Sequence, residues 1–164
     1  MDAFDQDINT AMLDACNLAS HMSNTSMIKQ LSLPDLSRTI EILRQDSLRY
    51  SDGNYPEEGW ISHFLSDERC VSIGLWNDEL LKAVLITEKL TLNGCIMWFI
   101  AVDPLHQGHG YGSDLLQYFE KHAHEFGIHW VFLNATKNSL NFYKKHGYIT
   151  GENAVVYEHY KDLQ

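Results

Sequence analysis

The sequence predicts one α/β domain, a mixed, mostly antiparallel sheet flanked by helices. Three observations predict it. Apolar runs at 70–76, 80–92 and 95–102 are separated only by Asn77-Asp78 and Asn93-Gly94, turn dipeptides that join antiparallel strands. Leu36, Ile40, Leu43 and Leu48 recur at helical spacing. After Val102, Gly108, Gly110 and Gly112 fall within five residues, between a strand-like run and a helix-like one.

Each element follows in chain order. Residues 1–26 carry a loose helical spacing (Ile8, Met12, Ala15, Leu18) and then the polar break "SHMSNTS". "ASHM" reads like a cloning junction, so this leader is either an added segment or an extra native helix. The domain proper is expected over 27–164. Residues 27–31 predict a short strand. Pro34 suits a first helical turn, and the helix is expected to run to about Tyr50. "SDGNYP" is a loop, and 56–66 a second, short helix. The three-stranded meander over 70–102 follows. A helix over 111–126 stops at Gly127, a residue type that closes helices. Residues 129–134 predict a strand, "SLNFYKKH" a short helix closed by Gly147, and about 147–150 and 154–160 the last strands.

Composition narrows the function classes. The formal net charge is −10, with no basic stripe, so no nucleic-acid partner is expected; an acidic surface favours cationic ligands instead. Cys16, Cys70 and Cys95 are odd in number and scattered, which fits a reducing cytoplasm. The longest apolar run, 95–102, is far short of the roughly 20 residues of a membrane-spanning helix. His122 and His124 lie on different sides of their helix, and the other histidines are not at ligand spacing, so no metal site is expected.

A strand, a glycine-rich turn and a helix start place free N–H groups at the positive end of a helix. Glycine lets that backbone approach a ligand closely, which makes a cradle for a pyrophosphate. A Walker A loop is excluded, because no Lys follows these glycines. A dinucleotide fingerprint is excluded because its third small position is Leu115, and because the loop follows an antiparallel meander.

Gln107-Gly108-His109-Gly110-Tyr111-Gly112, preceded by Val102-Asp103-Pro104-Leu105-His106, resembles the Q/R-x-x-G-x-G/A loop of the GCN5-related N-acetyltransferases. "NFYKKHGY" at 141–148 is similar to that family's "FYxxxGF" segment, and the element order matches. The resemblance covers about residues 27–160. It implies a GNAT-like fold with an acyl-CoA cleft between the fourth and fifth strands.

It also implies roles. Gln107, Gly108, His109, Gly110, Tyr111 and Gly112, with Ser113 at the helix start, would bind the coenzyme A pyrophosphate through backbone N–H groups. Ile100, Ala101 and Val102 would offer a strand edge to the pantetheine arm, and an N–H near Ile100 or Ala101 would hold the oxyanion. Tyr143 would protonate the leaving thiolate. Thr136 stands where the family often carries Asn; Asn138 lies close by and caps a helix, contacts coenzyme A, or both. The family's strand-four Glu has no counterpart in Ile96-Met97-Trp98, which leaves Glu88, His63 or a water as candidate base.

The expected function is transfer of an acetyl group from acetyl-CoA to a primary amine of a small molecule or peptide. Two readings stand beside it: a catalytically silent coenzyme A-binding module, and a transferase of longer acyl groups. Acceptor choice is expected from the first two helices and the loop "RYSDGNYPEEGW", and a homodimer is left open.

Overall fold

The computed structural model describes residues 26–90, 93–136, 138–150 and 158–163; the expected leader lies outside them apart from Ser26. The strands are β1 (Met27–Gln30), β2 (Cys70–Asn77), β3 (Leu80–Lys89), β4 (Gly94–Val102), β5 (Trp130–Asn134), β6 (Ile149–Thr150) and β7 (Glu158–Asp162). The helices are α1 (Leu36–Leu43), α2 (Glu58–Ser66), α3 (Tyr111–His122) and α4 (Leu140–Lys145). One sheet holds all seven strands, in the order β1-β2-β3-β4-β5-β7-β6. Among the described residues only β4 and β5 pair in parallel, so the sheet is mixed and mostly antiparallel as expected.

Local chemistry explains the boundaries. Ser32 and Asp35 form a capping box around the 3-10 turn that leads into α1, with Pro34 inside that turn. α1 stops at Leu43 rather than near Tyr50. Gln45 is extended, Asp46–Leu48 forms a separate 3-10 turn, and Ser47 Oγ donates to Gln45 Oε1 at 3.0 Å. Short polar side chains here satisfy one another locally instead of prolonging the helix. The β2–β3 turn is Asp78-Glu79, one residue later than the sequence suggests, with φ of 51° and 62°. Two positive values mark the hairpin turn whose twist matches the strands. Asn93 carries the positive φ of the next hairpin, while Gly94 already lies in β4. A Cβ on Gly94 would sit 2.1 Å from the Trp130 ring, so the glycine there serves close strand packing.

Two cores sandwich the sheet. On one face α3 buries Leu115, Leu116 and Phe119 against Leu85, Met97 and Val131. On the other, α1 and α2 bury Ile42, Leu43, Ile61 and Phe64 against Val84, Ile86 and Phe99. Each such side chain contributes about 1.5–3 kcal/mol relative to exposure.

β4 serves both cores by changing phase. Cys95 and Met97 face α3, whereas Phe99 and Ala101 face α1 and α2. The switch is a bulge: Ile86 pairs with Phe99 and Thr87 with Met97, so Trp98 is an inserted residue. Pairing between β4 and β5 ends at Met97 and Leu133, one residue before it. From Trp98 to Val102 no strand among the described residues lies beside the outer edge of β4.

Candidate functional site

The parting of β4 and β5 opens a cleft with two adjoining lobes of about 320 and 370 Å³. Ile100, Val102, Gln107, Gly112 and Phe142 line both lobes, so they form one continuous channel. The first lobe ends on the glycine loop and the second on Tyr143.

The glycine loop is built from its first residue. Asp103 caps the 3-10 turn Pro104–His106, its side chain accepting from the Leu105 N–H at 2.9 Å. Asp103 is nearly buried and also accepts from Arg38 of α1, while its own N–H donates to the Lys82 carbonyl at 2.8 Å. Gly108 and Gly110 have φ of 81° and 86°, which side-chain-bearing residues rarely adopt. A Cβ on either would meet nothing within 4 Å. These two glycines are therefore required by backbone shape, and they leave open space in front of the loop. Gly110 is the N-cap of α3, whose first intrahelical bond comes only from Asp114 N–H, at 3.0 Å. The N–H groups of Tyr111, Gly112 and Ser113 precede it and stand at the positive helix end. Gly112 is different: it is helical, and a Cβ there would make an ordinary 3.5 Å contact with Val102.

Two side chains of the loop are tied to neighbouring groups. His109 Nδ1 lies 3.1 and 3.0 Å from the carbonyls of His106 and Gln107, and its ring stacks on Tyr111. Ser113 Oγ lies 3.0 Å from His146 Nε2. Burial lowers the pKa of His146 from its ordinary value and so favours the neutral ring, while the Glu120 charge works the other way.

Gln45, absent from the sequence expectations, closes the floor beside Val102. Its Nε2 and that of Gln107 both donate to the Val102 carbonyl at 3.3 Å. Successive backbone groups of a strand point to opposite edges. The Val102 carbonyl faces the cleft, so the N–H and carbonyl of Ile100 do too, and those of Ala101 face β3. Helical spacing puts Gln45 on the polar face of 36–48, among other polar residues, so nothing in the sequence singles it out. Ser47, Leu48 and Phe142 also line the cleft.

The second lobe gathers Thr136, Asn138 and Tyr143 with Asn134 and Ser139. Thr136 Oγ1 lies 3.0 Å from Ser139 Oγ, and its carbonyl accepts the Ser139 N–H at 3.0 Å, which fixes the entry to α4. Tyr143 is 6% exposed, its ring edge-on to Phe142 and Tyr148. Burial pushes its hydroxyl well above the usual phenol range, so it stays protonated near neutrality. Of the candidate bases, Glu88 accepts from the Trp98 indole N–H at 3.0 Å, and His63 lies 3.4 Å from Asp67 on the outer side of α2. Among the described residues, no three His, Cys, Asp or Glu side chains are grouped to hold a metal ion, and no helix is long and apolar enough to cross a membrane.

Comparison with known proteins agrees with this fold. The chain is 32% identical over 98 residues to the uncharacterized protein YdhI of Bacillus subtilis, which covers 52% of this chain and 61% of that one. It thus spans less than two thirds of that curated relative. Among solved structures, PaiA N-acetyltransferase of Thermoplasma acidophilum, in complex with coenzyme A, superposes with a TM-score of 0.66 at 22% identity, covering 84% of this chain and 99% of that one. The ribosomal-protein-S18-alanine N-acetyltransferase of Escherichia coli superposes with a TM-score of 0.67 at 20% identity, covering 83% and 90%. At such identities the two structures establish the fold. The family model described as "Acetyltransferase (GNAT) family" matches residues 36–148, more than half of the sequence. The chain belongs to the acetyltransferase (GNAT) family.

Proposed function

We propose that the protein transfers an acetyl group from acetyl-CoA to a primary amine. The observation that carries this reading is the continuous channel from the helix N-terminus at Gly110 to the buried Tyr143 hydroxyl. Three consecutive unpaired N–H groups, on a loop with open space in front of it, suit a pyrophosphate. The free β4 edge suits the amides of a pantetheine arm, added like a further strand. The Val102 carbonyl is already engaged by Gln45 and Gln107, so Ile100 is the rung that remains.

The chemistry then balances as follows. The acceptor arrives as an ammonium and loses one proton to solvent. The neutral nitrogen attacks the thioester carbonyl carbon, and the oxyanion is held by the Ile100 N–H. Collapse breaks the C–S bond; the nitrogen sheds its second proton, and Tyr143 delivers one to the thiolate and is later reprotonated. The products are the acetamide and free coenzyme A. The residues Gln107–Ser113, Ile100–Val102, Thr136 and Asn138 act in binding, and Tyr143 in catalysis.

The test is thiol release from acetyl-CoA across a panel of primary amines, with Tyr143→Phe alongside. Release that depends on amine and falls about 100-fold in the variant supports the reading. Coenzyme A binding without release for any amine would instead support a silent binding module.

A further inference from the structure

The open end of the cleft is walled by Trp98. As the inserted residue of the β4 bulge, it stands where β4 and β5 part. It is 38% exposed and lines the same lobe as Tyr143. Yet the ring is not loosely held. It lies edge-on to Trp60 at 5.2 Å and tilted against Phe64 at 6.2 Å. Its indole N–H donates to Glu88 Oε2 at 3.0 Å. Three contacts fix one orientation of a ring that remains partly in solvent, an ordering that costs entropy without completing burial.

A fixed indole face beside a carboxylate recognises ammonium groups. The ring quadrupole attracts a cation within about 6 Å of its centre, and tryptophan does so best. Glu88 sets a negative charge at the ring edge. Arg69, a cation in its field, directs its own hydrogen bonds to Asp67, at 2.7 Å for the shortest. The net charge of −10 works in the same direction.

Resting on the acetyl-transfer reading, we propose that the acceptor is a cationic primary amine whose ammonium docks on the exposed part of the Trp98 indole, with Glu88 orienting that ring and supplying the opposite charge. Trp98 then determines specificity, and Glu88 is a positioning residue. The docked ammonium is the binding form; the neutral amine formed from it on proton loss is the attacking form.

The test uses the 15N-labelled full chain with saturating coenzyme A. The Trp98 indole resonance is assigned by its loss in Trp98→Phe. Phenethylammonium is titrated, then its uncharged isostere 2-phenylethanol. A saturable shift is expected with the ammonium, about fivefold or more tighter than with the alcohol. Glu88→Gln should weaken ammonium binding by a similar factor, and Trp98→Leu should do so as read on the neighbouring Trp60 indole. Equal affinity for the two probes, no response at Trp98, or unchanged affinity in Glu88→Gln would overturn the proposal. The Gly108 and Gly110 amides report coenzyme A in the same spectra. If they do not respond, the acetyl-transfer reading has failed; if they respond and Trp98 does not, only the acceptor assignment has.

Discussion

Arg38 and Asp103 join α1 to the first residue after β4, through a charged hydrogen bond between a guanidinium and a nearly buried carboxylate. Arg38 also donates to the Leu81 carbonyl at 3.2 Å, and Asp103 caps the turn that opens the glycine loop. The helix on one face of the sheet thereby holds the loop that begins the helix on the other.

Breaking that link should loosen the loop. Burial raises the Asp103 pKa, but the Leu105 N–H and the Arg38 guanidinium outweigh it and hold the carboxyl below its usual range. A depressed carboxylate contributes stability that is present above its unfolded pKa of about 3.9 and lost as pH falls through the folded value. Asp103→Asn should cost about 2–3 kcal/mol at pH 7. The cost should shrink as pH falls below about 4, as thermal melts of both proteins would record. An equal cost at pH 7 and pH 3 would contradict this.

Gly110 and Gly112 of the loop should not behave alike. Gly110→Ala forces a side chain to φ of 86° and should cost about 1–2 kcal/mol. Gly112→Ala is helical, meets only an ordinary contact, and should be neutral or stabilising by about 0.5–1 kcal/mol. Chemical denaturation of the two variants compares them directly.

Burial raises the pKa of both Tyr143 and Tyr148, with the charge of Glu120 adding to the effect at Tyr148. A phenol with a raised folded pKa contributes stability that is complete below its unfolded value, about 10, and lost as pH rises beyond it. Stability should therefore fall above about pH 10, and less steeply in Tyr148→Phe. Melting temperatures between pH 8 and pH 11 read this.

Cys70 and Cys95 should be inert in the folded protein. Burial pushes their thiols up to about 11 and about 12. In a Cys16→Ser background, Ellman's reagent at pH 8 should react with neither until denaturant is added.

The sequence made the meander and the loop legible because turn residues and glycines act locally. Asn93 and Gly127 carry the positive φ that their residue types favour, and Gly108 and Gly110 do likewise. The bulge at Trp98 was not legible. The run "CIMWFIAV" is apolar on both faces, so a one-residue change of phase leaves no trace in its pattern. The early end of α1 was hidden for a related reason: Leu48 keeps helical spacing but packs from a separate turn. Gln45 reaches the cleft only because of that break. Tyr143 and the loop were named from family resemblance, and the fold places them at opposite ends of one channel.

Acetyl transfer at this site requires that the glycine loop cradle coenzyme A. Calorimetric titration of acetyl-CoA into the wild type and Gly110→Trp tests it most directly. A Cβ at Gly110 projects into open space, so the indole would fill the cradle rather than the core. With both proteins shown to be folded by thermal melts, saturable binding to the wild type and none to the variant is the predicted result. Equal binding to both, or binding to neither, would contradict the account.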